Sequence, residues 1–126
     1  MLRKFNPKGS VVSPAYSHGV EASGFQKTLY ISGQVGQKSD GSVPPTIQEQ
    51  TKIAVANMNA VLADAGMTNE DLVKVTIYLT DESSLPGFME AGAGTLPSTP
   101  PATTLLIVKA LASPALLIEI EGIAVR

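Results

Sequence analysis

The chain has 126 residues, which is enough for one hydrophobic core and too few for two, so a single domain over residues 1–126 is predicted. Its net charge of −2 disfavours a broad nucleic-acid surface, because such surfaces depend on clustered lysine and arginine. Only 16% of the residues are charged, against about 25% in a typical soluble domain, so either a membrane or other subunits should cover part of the surface.

The charge pattern excludes the membrane alternative. The most apolar stretch, residues 105–125, contains two glutamates, a lysine and a proline, whereas a spanning helix needs about 20 predominantly apolar residues. Residues 1–10 are basic but precede no apolar run, so no secretory signal is expected. The sequence has no cysteine, which excludes thiolate catalysis and fits a reducing compartment. A cytoplasmic protein that associates with itself is predicted.

The first third of the chain favours β-structure. Val20 and residues 27–35 lie in stretches that predict strands, because β-branched and aromatic residues cluster there. Residues 39–42, Ser-Asp-Gly-Ser, predict a tight turn, since Asp-Gly readily supplies the positive φ that the turn needs.

The clearest helix is predicted from Thr46 to Ala65. Thr46 and Glu49 form a T-x-x-E capping box, and Gly66 is a suitable C-terminal cap. The apolar residues of this segment recur at spacings of three and four, as one helical stripe requires. They are Ile47, Ala54, Met58, Val61, Leu62 and Ala65.

The second half predicts one short helix among strands. Thr68 and Asp71 suggest a capped turn, and Val73, Val75, Ile77 and Leu79 then alternate with polar residues as in a half-buried strand. In residues 83–99, prolines and glycines oppose the helical spacing of the apolar side chains, so at most a short helix is expected. Those side chains are Leu85, Phe88, Met89 and Leu96. Residues 103–111 and 115–125 predict two final strands.

This order of elements, β-β-α-β-(α)-β-β, indicates an α+β fold with one mixed sheet and helices on one face. The other face needs cover as well, and a second copy of the chain is the expected source.

The chemistry available to the chain is limited. His18 is the only histidine, so a multi-histidine metal site is excluded, and no G-x-S-x-G segment presents a nucleophilic serine. The G-x-G at residues 92–94 lacks the third glycine of a phosphate-binding loop and is better explained as a flexible connection. Neither a metal nor a cofactor is predicted.

Two glutamates form the most unusual local pattern. Glu119 and Glu121 alternate with Ile118 and Ile120, so both carboxylates should lie on one face of a strand. They form either the solvated polar face of a half-buried strand or a site where one carboxylate acts as a general acid or base. The pattern is compatible with both interpretations.

Two other segments are candidates for binding a ligand. Tyr16 and His18 are predicted to lie in a loop or strand entry, although a lone histidine is more often structural than catalytic. Ser32-Gly33-Gln34 places a glycine near the end of a strand, where backbone N–H groups can approach a ligand closely.

Several segments together resemble the Rid/YjgF family, the reactive-intermediate (enamine/imine) deaminases once described as L-PSP endoribonucleases or translation inhibitors. The resemblance covers nearly the whole chain. Its segments are S-P-A-Y-S-H-G-V (13–20), L-Y-I-S-G-Q-V (29–35), N-M-N-A-V-L-A-D-A-G (57–66), D-L-V-K-V-T-I-Y-L-T-D (71–81), P-A-T-T (101–104) and I-E-I-E-G-I-A (118–124).

The resemblance implies a chorismate-mutase-like fold and a homotrimer with three ligand clefts between subunits. It also implies a cofactor-free reaction in which water adds to an imine, giving a 2-oxoacid and ammonia. Glu119, which would help place the water, and Tyr16 are the implied catalytic residues. The implied substrate-binding residues are Ser32, Gly33, Thr103, Thr104, Leu105 and Phe88.

The chain departs from the family at one important position. Deaminating members carry an arginine in a P-A-R-[ST] motif that pairs with the substrate carboxylate, and Thr103 stands there instead. The only arginines are Arg3 and Arg126, so no shift of alignment restores it. Leu105 replaces a cysteine that many members have, and Met89 lies near a common asparagine.

Three functions follow from these observations. The first is a Rid-like hydrolase for a small imine, enamine or related metabolite without an essential carboxylate. The second is a non-catalytic trimer that binds a small molecule or a partner protein. The third, a ribonuclease, is disfavoured because the chain lacks a basic or aromatic surface for RNA.

Overall fold

The computed structural model describes residues 1–95 and 97–126 and confirms the predicted α+β fold. Leu96, one of the apolar residues of the predicted short helix, lies outside the described residues. Two 3₁₀ turns, Asn69–Asp71 and Glu82–Ser84, join longer elements. Those elements are β1 (Leu2–Phe5), β2 (Gly19–Ala22), β3 (Thr28–Val35), α1 (Ile47–Asp64), β4 (Leu72–Leu79), α2 (Leu85–Gly92), β5 (Ala102–Ile107) and β6 (Ile118–Val125).

The main sheet has four strands in the order β3-β6-β4-β5, so β3 and β5 are its two edges. β6 pairs antiparallel with both neighbours, while β4 and β5 run parallel. β1 and β2 form a separate two-stranded ribbon, and β1 was not predicted. The Phe5 ring of β1 packs on Gly19 of β2, where a β-carbon would lie 2.6 Å from the ring.

The main helix forms where the sequence predicts it. The Thr46 hydroxyl accepts a hydrogen bond from the Glu49 backbone N–H at 3.2 Å. Gly66 follows the helix with a φ of +72°, and the Met67 N–H returns to the Leu62 carbonyl, which is a glycine-terminated helix end. Within the described residues, no helix is both long and apolar enough to cross a membrane.

The hydrophobic core lies between α1 and one face of the sheet. A register shift between Leu72 and Lys74 changes the start of β4: Leu72 is buried there, and Val73 is only half-buried. The predicted alternation was therefore wrong at its first residue and correct from Val75 onward. The fully or nearly buried members of the core include Ile31, Ala54, Met58, Leu62, Leu72, Leu79, Ile118, Ile120 and Ala124.

Both C-terminal strands are shorter than predicted. β5 ends at Ile107, and β6 begins only at Ile118. Residues between them turn back over the end of α1, where the fully buried Gln50 side chain binds them. Its amide donates to the Ala115 carbonyl at 2.9 Å and accepts from the Leu117 N–H at 2.8 Å. This buried polar contact holds residues 115–117 against α1 rather than in the sheet.

Candidate functional site

The Glu119 carboxylate lies directly against Gly33. A β-carbon built on Gly33 would lie 1.8 Å from Glu119 Oε2, so only glycine leaves room for the carboxylate in this position. The register between β3 and β6 shifts between Ile31 and Gln34, which is the segment that carries Ser32 and Gly33. The β3 edge therefore brings three of the predicted site residues, Ser32, Gly33 and Glu119, into one region.

Glu119 lies on the sheet face opposite the helices. As the sequence predicts, Glu119 and Glu121 share this face, while Ile118 and Ile120 are buried in the core. The Tyr78 hydroxyl donates a hydrogen bond to Glu121 Oε1. This bond, partial burial and the negative charges of Glu121 and Glu119 raise the pKa of Tyr78 above its usual value.

Thr104 lies on the same helix-free face. It is the cross-strand neighbour of Thr76, which in turn pairs with Glu121. The Lys74 ammonium donates to Thr104 Oγ1 at 2.7 Å. The predicted binding residue Thr104 is therefore separated from Thr103, whose strand partner Val75 belongs to the core face.

The other predicted residues line a cavity on the helix side of the sheet. The cavity has a volume of about 470 Å³ and lies between α1, α2, β4 and β5. Thr103 contributes to its wall, and its hydroxyl donates to the Pro101 carbonyl at 3.1 Å, so the oxygen is left to accept from a ligand. The predicted site residues that line it are Tyr16, Phe88, Thr103 and Leu105.

Tyr16 is held at this cavity by its neighbours. The buried Ser17 donates from its N–H to the Pro101 carbonyl at 3.1 Å and from its hydroxyl to the Pro100 carbonyl at 2.7 Å. The His18 ring meets the Tyr16 ring edge-on, with centroids 5.2 Å apart. Sequence reasoning missed Ser17, since a serine that binds residues more than 80 positions away has no local signature in one sequence.

The structure places both arginines away from the cavity. Arg3 pairs with Glu21 and lies over the Phe5 ring, and Arg126 binds the Gly66 carbonyl and Asp71. The arginine clamp that the sequence lacks at Thr103 is therefore not supplied from elsewhere in the described chain. Among the described residues, no cluster of three or more metal-ligating side chains occurs.

Apart from Thr104, which belongs to neither, the predicted site residues form two groups. One group, at the β3 and β6 side, contains Ser32, Gly33 and Glu119. The other lines the cavity beside β5, whose described lining does not include Glu119 or Gly33. Within one chain the two groups lie toward opposite edges of the sheet and on opposite faces.

The family model described as Endoribonuclease L-PSP matches residues 10–126. The chain belongs to the Rid/YjgF family. Among the relatives in this family, the fission-yeast (Schizosaccharomyces pombe) protein mmf2, named as mitochondrial, is 39% identical over 111 residues, or 86% of each chain. The mouse (Mus musculus) 2-iminobutanoate/2-iminopropanoate deaminase is 34% identical over 113 residues, which cover 88% of this chain and 81% of the mouse protein.

Solved Rid structures have the same architecture. A Rid-family protein of unknown function from Yersinia pestis, YyfB, superposes with a TM-score of 0.89 at 33% identity and covers 99% of this chain and 98% of its own. RidA from an Antarctic Psychrobacter gives a TM-score of 0.75 at 27% identity, with coverage of 98% and 94%. The Rid fold therefore extends over nearly the whole chain.

Proposed function

We propose that this chain is a Rid-type hydrolase that releases ammonia from a small imine or enamine in a cleft between subunits of a homotrimer. The observation that carries the proposal is the Glu119 carboxylate held against Gly33, at an edge of the sheet. A carboxylate that lies against the β3 backbone, with no side chain between them, suits the orientation of an attacking water molecule. The name of the mouse relative, an iminobutanoate and iminopropanoate deaminase, supports the same reaction class.

The sheet itself supports the trimer. Helices cover one face, while the other face exposes large side chains, among them Tyr30 at 76% and Leu106 at 47% of their surface. The two edge strands are also available for contact, and exposed edges are usually covered in native proteins. In the proposed trimer, the β3 edge of one subunit lies beside the β5 edge of the next.

This arrangement joins the two groups of site residues. Glu119 and Gly33 come from one subunit, and Tyr16 and Thr103 come from the neighbouring subunit. Each trimer then has three equivalent clefts, because every interface repeats the same pair of edges. A single subunit would contain both halves of the site but no complete cleft.

The proposed reaction needs only water and the chain's own residues. Glu119 accepts a proton from water as the water oxygen bonds to the carbon of the C=N group, and it then passes this proton to the nitrogen, which gives a neutral carbinolamine. Glu119 next moves the carbinolamine hydroxyl proton to the nitrogen, the C–N bond breaks with release of ammonia, and the carbon keeps the oxygen as a carbonyl. The sum is imine plus water to carbonyl compound plus ammonia. Tyr16 and the Thr103 oxygen hold the substrate.

A matched pair of glutamate variants tests this proposal. Glu119→Gln should lower catalysed ammonia release from a panel of freshly generated imines by about 100-fold or more, the usual contribution of a positioned acid–base group. Glu121→Gln removes an identical charge two residues away on the same face and should keep most of the activity. Equal turnover by the wild type and Glu119→Gln would overturn the hydrolase proposal.

A second candidate is a non-catalytic trimer that binds a small metabolite or a partner protein. The observation that favours it is Thr103, which stands where deaminating relatives carry an arginine, beside a cavity that the two arginines do not reach. Ligands that raise the melting temperature without any turnover would favour this candidate. For both candidates we place the protein in the cytoplasm, with no cofactor and no nucleic-acid or membrane partner.

A further inference from the structure

We propose that the cavity beside β5 binds a neutral, mainly apolar small molecule with one carbonyl or imine group. This inference names a substrate class for the hydrolase. It rests on the proposed function to the extent that the bound molecule is the substrate. The volume of about 470 Å³ lies within the range of about 300–1,000 Å³ that is typical of small-molecule sites.

The lining of the cavity carries no charge. Across its described lining, none of the side chains is an aspartate, glutamate, lysine, arginine or histidine. A carboxylate that entered would lose its hydration without gaining a cation, which is costly. A neutral molecule avoids this cost and gains from burial of its apolar surface. The apolar members of the wall include Val55, Met58, Leu72, Val75, Ile77, Phe88, Leu105 and Ile120.

The cavity reaches from the surface into the core. At its mouth, Met89 is 52% exposed, and at its base Met58 and Ile120 are at most 5% exposed. A ligand can therefore enter from solvent and still contact core side chains. Met89 and Met58 have flexible thioether side chains that adapt to different apolar shapes.

A few polar groups limit how a ligand can lie. Asn69 is already engaged, because its amide donates to the Thr95 carbonyl at 2.9 Å. Thr103 has its proton on the Pro101 carbonyl and Thr95 has its proton on the Gly92 carbonyl. The Tyr16 hydroxyl and the amide of the exposed Asn59 are the remaining side-chain donors of the described lining for a ligand carbonyl or imine nitrogen. The ligand that matches this wall has one polar group at one end and is otherwise apolar.

Two ligands with one carbon skeleton test the inference. 4-Phenylbutan-2-one is a neutral ketone, and 4-phenyl-2-oxobutanoate carries the same phenyl chain with a carboxylate. Calorimetry on the full-length protein should show at least tenfold tighter binding of the ketone. Equal or tighter binding of the oxoacid, or no binding of the ketone, would overturn the inference.

Three variants locate the binding. Thr103→Arg places a cation in the wall and should raise affinity for the oxoacid at least tenfold, while Thr99→Arg adds the same charge at an exposed threonine outside the lining and should change nothing. Leu105→Trp fills the cavity and should abolish ketone binding. If the Leu105→Trp protein still binds the ketone, then the cavity is not the ligand site and the inference is wrong. The same conclusion follows if the substitution changes the oligomeric state but not the affinity for the ketone.

The two proposals fail separately. If the imine panel is hydrolysed in a Glu119-dependent way but the ketone binds no tighter than the oxoacid, the substrate class is wrong and the hydrolase remains. If the ketone binds as expected but Glu119→Gln leaves turnover unchanged, the hydrolase is wrong and the neutral-ligand site remains.

Discussion

The Glu119 carboxylate lies in the space that a side chain on Gly33 would fill. A β-carbon on Gly33 would also come within 2.6 Å of Glu119 Cδ. The contact involves the end of a flexible side chain, so a larger residue at Gly33 would move the carboxylate rather than unfold the strand. The position of Glu119 is thus controlled by the absence of a side chain on the adjacent strand.

Gly33→Ala should therefore reduce activity without a large loss of stability. A displacement of about 1 Å of a catalytic group is expected to lower kcat/KM roughly 10- to 100-fold. Steady-state kinetics on the imine panel measures this, with thermal unfolding as the control for folding. In the Glu119→Gln background, Gly33→Ala should have little further effect, because both changes act on one carboxylate. Additive losses would show that Gly33 acts independently of Glu119.

Gln50 should be essential for stability although it is polar. Its side chain is fully buried and also donates to the Pro44 carbonyl at 2.8 Å. Gln50→Leu leaves three backbone groups without their hydrogen-bond partner. Each of these groups that water does not reach lowers the free energy of unfolding by about 1–3 kcal/mol. We expect a loss of roughly 2–4 kcal/mol by urea unfolding. Gln26→Leu, at an exposed site, should cost almost nothing.

Replacement of glycine by alanine should have opposite effects on stability at two positions of α2. A β-carbon on Gly87 would lie 2.6 Å from Ile47 Cγ2, so Gly87→Ala forces α1 and α2 apart and should cost about 1–3 kcal/mol. At Gly92 no atom lies within 4 Å of the added carbon, and alanine should be neutral or stabilise by up to about 1 kcal/mol. Equal changes in the free energy of unfolding for Gly87→Ala and Gly92→Ala, measured with denaturant, would contradict the close packing at Gly87.

Tyr78 should make the protein less stable at alkaline pH. Its hydrogen bond to Glu121 raises the folded-state pKa above the unfolded value, so the folded state holds this proton more tightly. The stabilisation is fully present below about pH 10 and is lost as the pH rises through the folded-state pKa. Tyr78→Phe should flatten this alkaline loss in urea-unfolding curves, and an alkaline loss of the same size in the variant would contradict the prediction.

Sequence periodicity predicted the elements whose signals are local. The α1 stripe, its Thr46 cap and Gly66 all depend on residues of the helix or next to its ends, and the structure confirms them. The start of β6 could not be predicted, since the residues just before it bind Gln50, more than 60 residues away. The strand β1 was missed for the same reason, because its pairing partner lies far along the chain.

The candidate site was predictable as a set of residues but not as an arrangement. Glu119 and Glu121 share a face because strand alternation fixes it, and the structure shows this. The division between Glu119 on one face and Thr103 on the other follows from the pairing of β4 with both β5 and β6, which no local pattern reports. The role of each site residue stays a prediction.

The most direct test of the account is complementation between subunits. Glu119→Gln and Tyr16→Phe proteins, each nearly inactive alone, are unfolded, mixed in equal amounts and refolded into mixed trimers. If each cleft takes Glu119 from one subunit and Tyr16 from its neighbour, about a quarter of the clefts are intact, so about a quarter of the wild-type activity should return. Activity that stays at the level of the separate variants, in mixed trimers verified by mass spectrometry, would contradict a site shared between subunits.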